Sequence, residues 1–307
     1  MPSTTTSPVS GVALGTLTVL CWAGYNVAAK AGIDAGLSPA ALSFLRYLTP
    51  GLVAVPLWVW QRRRWESTGL PFIRLIALAI LGGPLFGLIA VAGYQFAPLS
   101  YGLLFAPVAV FMTGLLWGGI LLNEPITAPR IFGAIVMFGG LALVVGVHRG
   151  GLGPQWPIGI ALFVMAGCMW GSYTALVRYW RIPTLEGTAA VASLGAVIAA
   201  IALGPWAVVS FGEAEASMLL TQIIMQGLVG GVLSVVALIA LLRRVPAQIA
   251  AMLPTFTPAV ALFIAWAALG TRPQPAELVG AAIIFAGFML ATRPELCTPP
   301  FMRRSTP

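Results

Sequence analysis

The sequence predicts an all-α membrane protein: ten transmembrane helices built as two inverted five-helix repeats. Three observations carry this. The 307 residues are 59% hydrophobic and only 8% charged, with a mean hydropathy of +0.97. An ordinary soluble domain carries about 45–50% apolar and about 25% charged residues. The apolar residues fall into runs near the ~20 residues that a helix needs to cross lipid. The second half of the chain also echoes the first.

Ten runs can be read in order: 10–30, 39–60, 72–95, 99–121, 128–147, 157–178, 187–209, 218–242, 247–268 and 276–292. They are too long and too evenly apolar for barrel strands, so helices remain. With the N-terminus placed in the cytoplasm, most arginines fall on the inner side, among them Arg62, Arg63, Arg64, Arg130, Arg243 and Arg244. Only Lys30, Arg149 and Arg272 fall outside, and Arg46 lies within a run. This asymmetry predicts a multi-pass plasma-membrane protein (the bacterial inner membrane) with both termini cytoplasmic. It also explains the net charge of +8 and the pI of about 10.1 without nucleic acid. The opening "MPSTTTSPVS" lacks the basic n-region of a signal peptide, so the first run is expected to be retained.

The repeat appears when Trp22 is set against Trp170, an offset of 148 residues. Tyr25 then meets Tyr173, Lys30 meets Arg178, and Gly82-Gly83 meets Gly230-Gly231. Pro98 meets Pro246, Pro125 meets Pro273, and Gly139 meets Gly287. Residues 1–148 form one five-helix repeat, residues 149–292 the second, and residues 293–307 a cytosolic tail. Five spans per repeat is odd, so the second repeat sits upside down. Transporters built this way hold substrate near midplane, where the repeats meet.

Trp22, Tyr25, Asn26 and Lys30 share one face of span 1, and Trp170, Tyr173, Thr174 and Arg178 share one face of span 6. Either stripe could be an aromatic belt with a snorkelling cation. The depth of both tryptophans favours the lining of a pathway instead. Breakers stand at mid-span: Gly83 and Pro84 in span 3, Pro107 in span 4, Gly230 and Gly231 in span 8, and Pro254 and Pro258 in span 9. They permit close packing or mark a hinge beside a cavity. Near them lie Tyr94, Gln95, Tyr101, Gln226, Ser234 and Gln248. These side chains suit a small solute with a polar head and an apolar body.

No Asp or Glu falls deep in a run, which argues against a carboxylate proton relay. Arg46 is the one deep cation. It could grip a carboxylate, cap freed carbonyls or reach the surface. Cys21, Cys168 and Cys297 form no spaced pair, and His148 stands alone. With no catalytic motif, phosphate loop, cofactor site or metal cluster, the chain is not expected to be an enzyme.

"CWAGYNVAAK", "FLRYLTPGL", "LLNEPITAPRIFGAIVMFGGLALV" and the later "GAAIIFAGFMLA" resemble the EamA-type exporters of the drug/metabolite transporter superfamily. The resemblance covers nearly the whole chain and is nearest the YddG-type amino-acid exporters. It implies spans 1, 3, 4, 6, 8 and 9 around a central cavity, with span 2 and Arg46 toward the periphery. One departure is that Arg272 stands where a second copy of Glu124 would be. The function expected is secondary export of small amphipathic metabolites, chiefly amino acids including aromatic ones, by a monomer in lipid. Alternatives are export of drugs or aromatic cations, a membrane enzyme, or a helical scaffold that transports nothing.

Overall fold

A computed structural model describes residues 8–66, 71–148, 153–182, 184–242, 244–245 and 253–292. No strand occurs among them. Helix α1 spans Pro8–Asp34 and α2 spans Pro39–Glu66. Next come α3 (Phe72–Gly82), α4 (Pro84–Ala92) and a 3₁₀ turn over Gly93–Gln95, followed by α5 (Leu99–Leu122) and α6 (Ala128–His148). The second half holds α7 (Trp156–Tyr179) and α8 (Thr184–Ile198), then a π-helical turn and α9 (Gly204–Gly212). Helix α10 (Ala216–Gln222) passes into a π-helical run over Ile223–Leu233 and on into α11 (Ser234–Leu242). A 3₁₀ segment, Leu253–Phe256, precedes α12 (Thr257–Leu269) and α13 (Pro275–Ala291).

Among the described residues, seven helical stretches are long and apolar enough to cross a membrane: Gly11–Asp34, Phe72–Gln95, Leu99–Leu122, Ala128–Gly146, Trp156–Tyr179, Gly187–Gly212 and Ala216–Leu242. Helices α12 and α13 are apolar but shorter. Many large apolar side chains point outward, including Ile73, Ile135, Ile201, Trp206 and Phe263. A water-soluble fold would leave a surface of this kind unsolvated, whereas lipid solvates it.

Short residues set how closely the helices approach. Helix α6 packs along α13, α5 along α7, and α2 along α8. A Cβ added at Gly133 would lie 2.4 Å from the Gly287 carbonyl oxygen, and one at Gly140 would lie 2.8 Å from that of Gly280. Glycine alone permits these two backbones to touch. Gly139, which the 148-residue offset sets against Gly287, faces open space. The contact therefore belongs to its neighbour, Gly140.

The mid-span breakers act unequally. At Gly83 a Cβ would lie 2.0 Å from the Ala79 carbonyl oxygen, and Pro84 opens the next helix. Gly82 and Pro84 carbonyls at this break accept hydrogen bonds from Tyr47 (3.1 Å) and Ser43 (2.8 Å). Backbone groups freed inside a membrane are tolerated where protein satisfies them in this way. Pro107, by contrast, is carried within an unbroken α5. Pro254 lies in the 3₁₀ segment, and Pro258 is accommodated in the first turn of α12.

Candidate functional site

The polar residues of α1 meet partners from three other elements. Asn26 Nδ2 donates to the Trp22 carbonyl (2.7 Å), and Asn26 Oδ1 accepts from the Tyr94 hydroxyl (3.0 Å). Tyr94 is buried and packs its ring against Phe163 at 5.1 Å. From α2, the Arg46 guanidinium carbon sits 3.9 Å above the Tyr25 ring, a cation–π geometry. From the π-helical run, Gln226 Nε2 donates to the Tyr25 carbonyl (2.8 Å). One turn earlier, Gln222 Nε2 donates to the Ala28 carbonyl (2.8 Å). Both glutamine side chains are fully buried.

The glycines make room for these aromatic rings. A Cβ at Gly230 would lie 3.0 Å from Tyr25 Cγ, and one at Gly82 would lie 2.7 Å from Tyr173 Cδ2. Gly227 admits the Thr49 hydroxyl, and Gly231 admits the Arg46 backbone and Pro50. On the α7 side, Trp170 stacks between Tyr173 (5.0 Å, 23°) and Phe86 (5.3 Å, 29°). This ladder of flat faces is 37% exposed at Trp170, so an apolar body can reach it.

Of the residues expected at a site, the structure gathers Tyr25, Asn26, Tyr94 and Gln226 in one cluster, with Arg46 among them, while Trp22 joins it only through the carbonyl that Asn26 bonds on the same helix. Trp170 and Tyr173 form the aromatic ladder. Other residues are placed elsewhere. Thr174 donates to the Gly171 carbonyl (2.9 Å) and Ser234 to the Gly230 carbonyl (2.6 Å), so both hydroxyls serve their own helices. Gln95 is exposed at the end of its 3₁₀ turn. Tyr101 is fully buried beside Phe105 and Trp156. Gln248 lies outside the described residues. Sequence reading passed over Gln222, Tyr47 and Thr49. Gln222 stood four residues before Gln226, on the same helical face, and could have been found by that spacing.

Two apolar crevices lie away from this cluster. One, of about 440 Å³, is lined by Phe263, Trp266 and Arg272, and the other, of about 310 Å³, by Ile80, Pro84 and Leu203. Charged groups gather at helix ends instead. Glu124 pairs with Arg178 and, at 3.6 Å, with Arg130, and Lys30 pairs with Asp34. Glu277 is a buried carboxylate at the N-terminal turn of α13, where it accepts from the Ser100 hydroxyl and the Gln274 amide. Among the described residues, no three His, Cys, Asp or Glu side chains come together as metal ligands.

Residues 9–146 match the EamA-like transporter family, and residues 157–293 match it again. A protein of Streptantibioticus cattleyicolor described as a probable terminal-alkyne amino-acid exporter is 28% identical over 287 residues, covering 91% of this chain and 92% of the relative. A solved crystal structure of another protein, 18% identical, superposes with a TM-score of 0.62 over 92% of this chain and 96% of that one, a likeness of fold. The apolar helices, their lipid-facing surface and these matches make the molecule a multi-pass membrane transporter of small molecules rather than an enzyme. The chain belongs to the EamA-like transporter family of the drug/metabolite transporter superfamily.

Proposed function

We propose that the protein exports small amphipathic metabolites, amino acids including aromatic ones, across a bacterial inner membrane by alternating access. Its ten spans form two inverted five-helix repeats, and both termini face the cytoplasm. The observation that carries this reading is an exchange of contacts. Gly82 abuts Tyr173, and Gly230 abuts Tyr25. A shift of 148 residues, applied in opposite senses to the two partners, turns the first pair into the second. Gly11 against Val245 and Gly159 against Ala97 exchange in the same way. Gly195 touches Tyr47, its own counterpart, as residues beside a two-fold axis must. The double family match is further support.

Toward the C-terminal end of each repeat the offset slips to 147. Gly133 pairs with Gly287 and Gly140 with Gly280, a set that exchanges with itself. The left-handed caps Asn123 (φ 52°) and Gly270 (φ 70°) follow the same offset. The single missing residue lies before these caps.

Two such repeats can rock about the shared axis and open either side at similar energy. The α1 cluster, with its buried amides and its cation, is the seat for a polar head. The Phe86–Trp170–Tyr173 ladder offers faces for an apolar body. The relative described as an amino-acid exporter points to the same substrate class.

Counterflow tests this. Labelled amino acid should accumulate in proteoliposomes preloaded with the unlabelled compound. If no amino acid exchanges while aromatic cations do, the substrate class is wrong. If nothing exchanges, the transport mechanism is wrong.

A further inference from the structure

Two groups beside Tyr25 have unmet demands of opposite kind. The first is Arg46. Its guanidinium lies on the Tyr25 ring, and the ion pairs formed among the described residues join other side chains. A ring face solvates a cation only in part. An intramembrane cation with no carboxylate beside it marks a place for an anion.

The second is Gln226, which is 0% exposed. Its Nε2 donates to the Tyr25 carbonyl, and this fixes the amide, because turning it over would set oxygen against oxygen. Oε1 is thereby held as an acceptor, and it has no partner. A buried acceptor left in this state is costly unless a ligand or water donates to it. Gln226 also stands in the π-helical run, a backbone form often found at functional sites.

We propose that Arg46, on the Tyr25 ring, and Gln226, on the Tyr25 carbonyl, form a receptor for a zwitterionic head. Arg46 takes the carboxylate, and Gln226 Oε1 accepts a hydrogen bond from the ammonium on the adjoining carbon. The inference rests on the transporter reading and narrows it. The substrate carries both charges on one carbon, so simple amines, organic cations and simple carboxylates are rejected. The receptor also gives a role to Arg46, which the family resemblance had set at the periphery.

The test compares phenylalanine with phenethylamine, which lacks the carboxylate, and 3-phenylpropionate, which lacks the ammonium. Two readouts are taken on the purified full chain: counterflow in proteoliposomes and the thermal shift in detergent. The wild type should prefer phenylalanine to either analogue by about tenfold or more, the scale of a hydrogen bond to a charged group. Gln226→Leu should abolish the preference over 3-phenylpropionate, and Gln226→Glu should retain it. Arg46→Gln should abolish the preference over phenethylamine. Should Arg46→Gln fail to fold, Arg46→Lys should keep that preference at weaker affinity.

Exchange of phenethylamine as good as that of phenylalanine would overturn the receptor while leaving transport intact. So would a folded Gln226→Leu or Arg46→Gln variant that discriminates as the wild type does. If no compound exchanges at all, the transporter reading fails. The thermal shift then decides the receptor separately: it stands if phenylalanine stabilises the wild type but not Gln226→Leu, and falls if the two respond alike.

Discussion

Asn26 shows how one amide can join a helix to a neighbour. Its Nδ2 is tied to the Trp22 carbonyl, which leaves Oδ1 aimed at the Tyr94 hydroxyl. Tyr94→Phe removes the donor and leaves a partly buried acceptor. It should cost about 1–3 kcal/mol of stability, read from thermal unfolding in detergent. Asn26→Leu in the Tyr94→Phe background should add less than it does alone. A double-mutant cycle that gave no coupling would break the link. Trp170 tests the other wall. It is partly exposed between Tyr173 and Phe86, so Trp170→Ala should lower the exchange rate severalfold while the protein still folds, as judged by size exclusion. Unchanged exchange would make the ladder mere packing. Tyr25, Asn26, Tyr94 and Gln226 were legible in the sequence because a polar side chain in an apolar run needs a partner. The partners themselves were not legible, since Arg46 reaches Tyr25 and Gln226 reaches the Tyr25 carbonyl only across helices.

Helix limits were legible for some spans and not for others: the runs 10–30 and 39–60 stop well short of the ends of α1 at Asp34 and α2 at Glu66. The runs 72–95, 99–121 and 128–147 fall within a residue of Phe72–Gln95, Leu99–Leu122 and Ala128–His148. Hydropathy changes sharply at the bilayer edge, so ends of this kind are written in composition. Backbone irregularities inside a span are not. Gly82-Gly83-Pro84 announced a break because proline and a crowded glycine leave little choice, yet nothing in "IIMQGLVGGVL" distinguishes a π-helical run from an α-helical one. Which glycines form a crossing was equally hidden, because Gly139 and Gly140 are neighbours and differ only in the face they present. This gives a prediction for the element. Gly133→Val drives a side chain into the Gly287 carbonyl and should cost about 1–3 kcal/mol, seen as a lower unfolding temperature in detergent. Gly139→Ala meets open space and should be neutral, or stabilising by up to about 1 kcal/mol through helix propensity. Equal damage from both would mean that α6 and α13 do not cross there.

At the scale of the whole molecule, the exchange of contacts makes a claim that no single helix can make. In an inverted pair of repeats, Gly82–Tyr173 and Gly230–Tyr25 are one contact seen from opposite sides of the membrane. Each brings a broken or π-helical span against the tyrosine of a stripe, and each can loosen when its side opens. An added methyl at either glycine is too close to its ring to be absorbed without movement, since the nearest ring atoms would lie 2.7 Å and 3.0 Å away. Gly82→Ala therefore disfavours the conformer in which Tyr173 is packed, and Gly230→Ala the one in which Tyr25 is packed. The two variants should shift the inward-to-outward ratio in opposite directions. Each shift should be about fivefold, the effect of roughly 1 kcal/mol on a two-state equilibrium. The measurement is the rate of modification of single cysteines placed at each mouth of the pathway, in a chain freed of Cys21, Cys168 and Cys297. A pseudo-two-fold rocker requires opposed signs, because the operation that exchanges the contacts also exchanges the two faces of the membrane. Shifts of the same sign would show that the two glycines loosen the fold together, and would reduce the exchange of contacts to a relic of duplication with no part in transport.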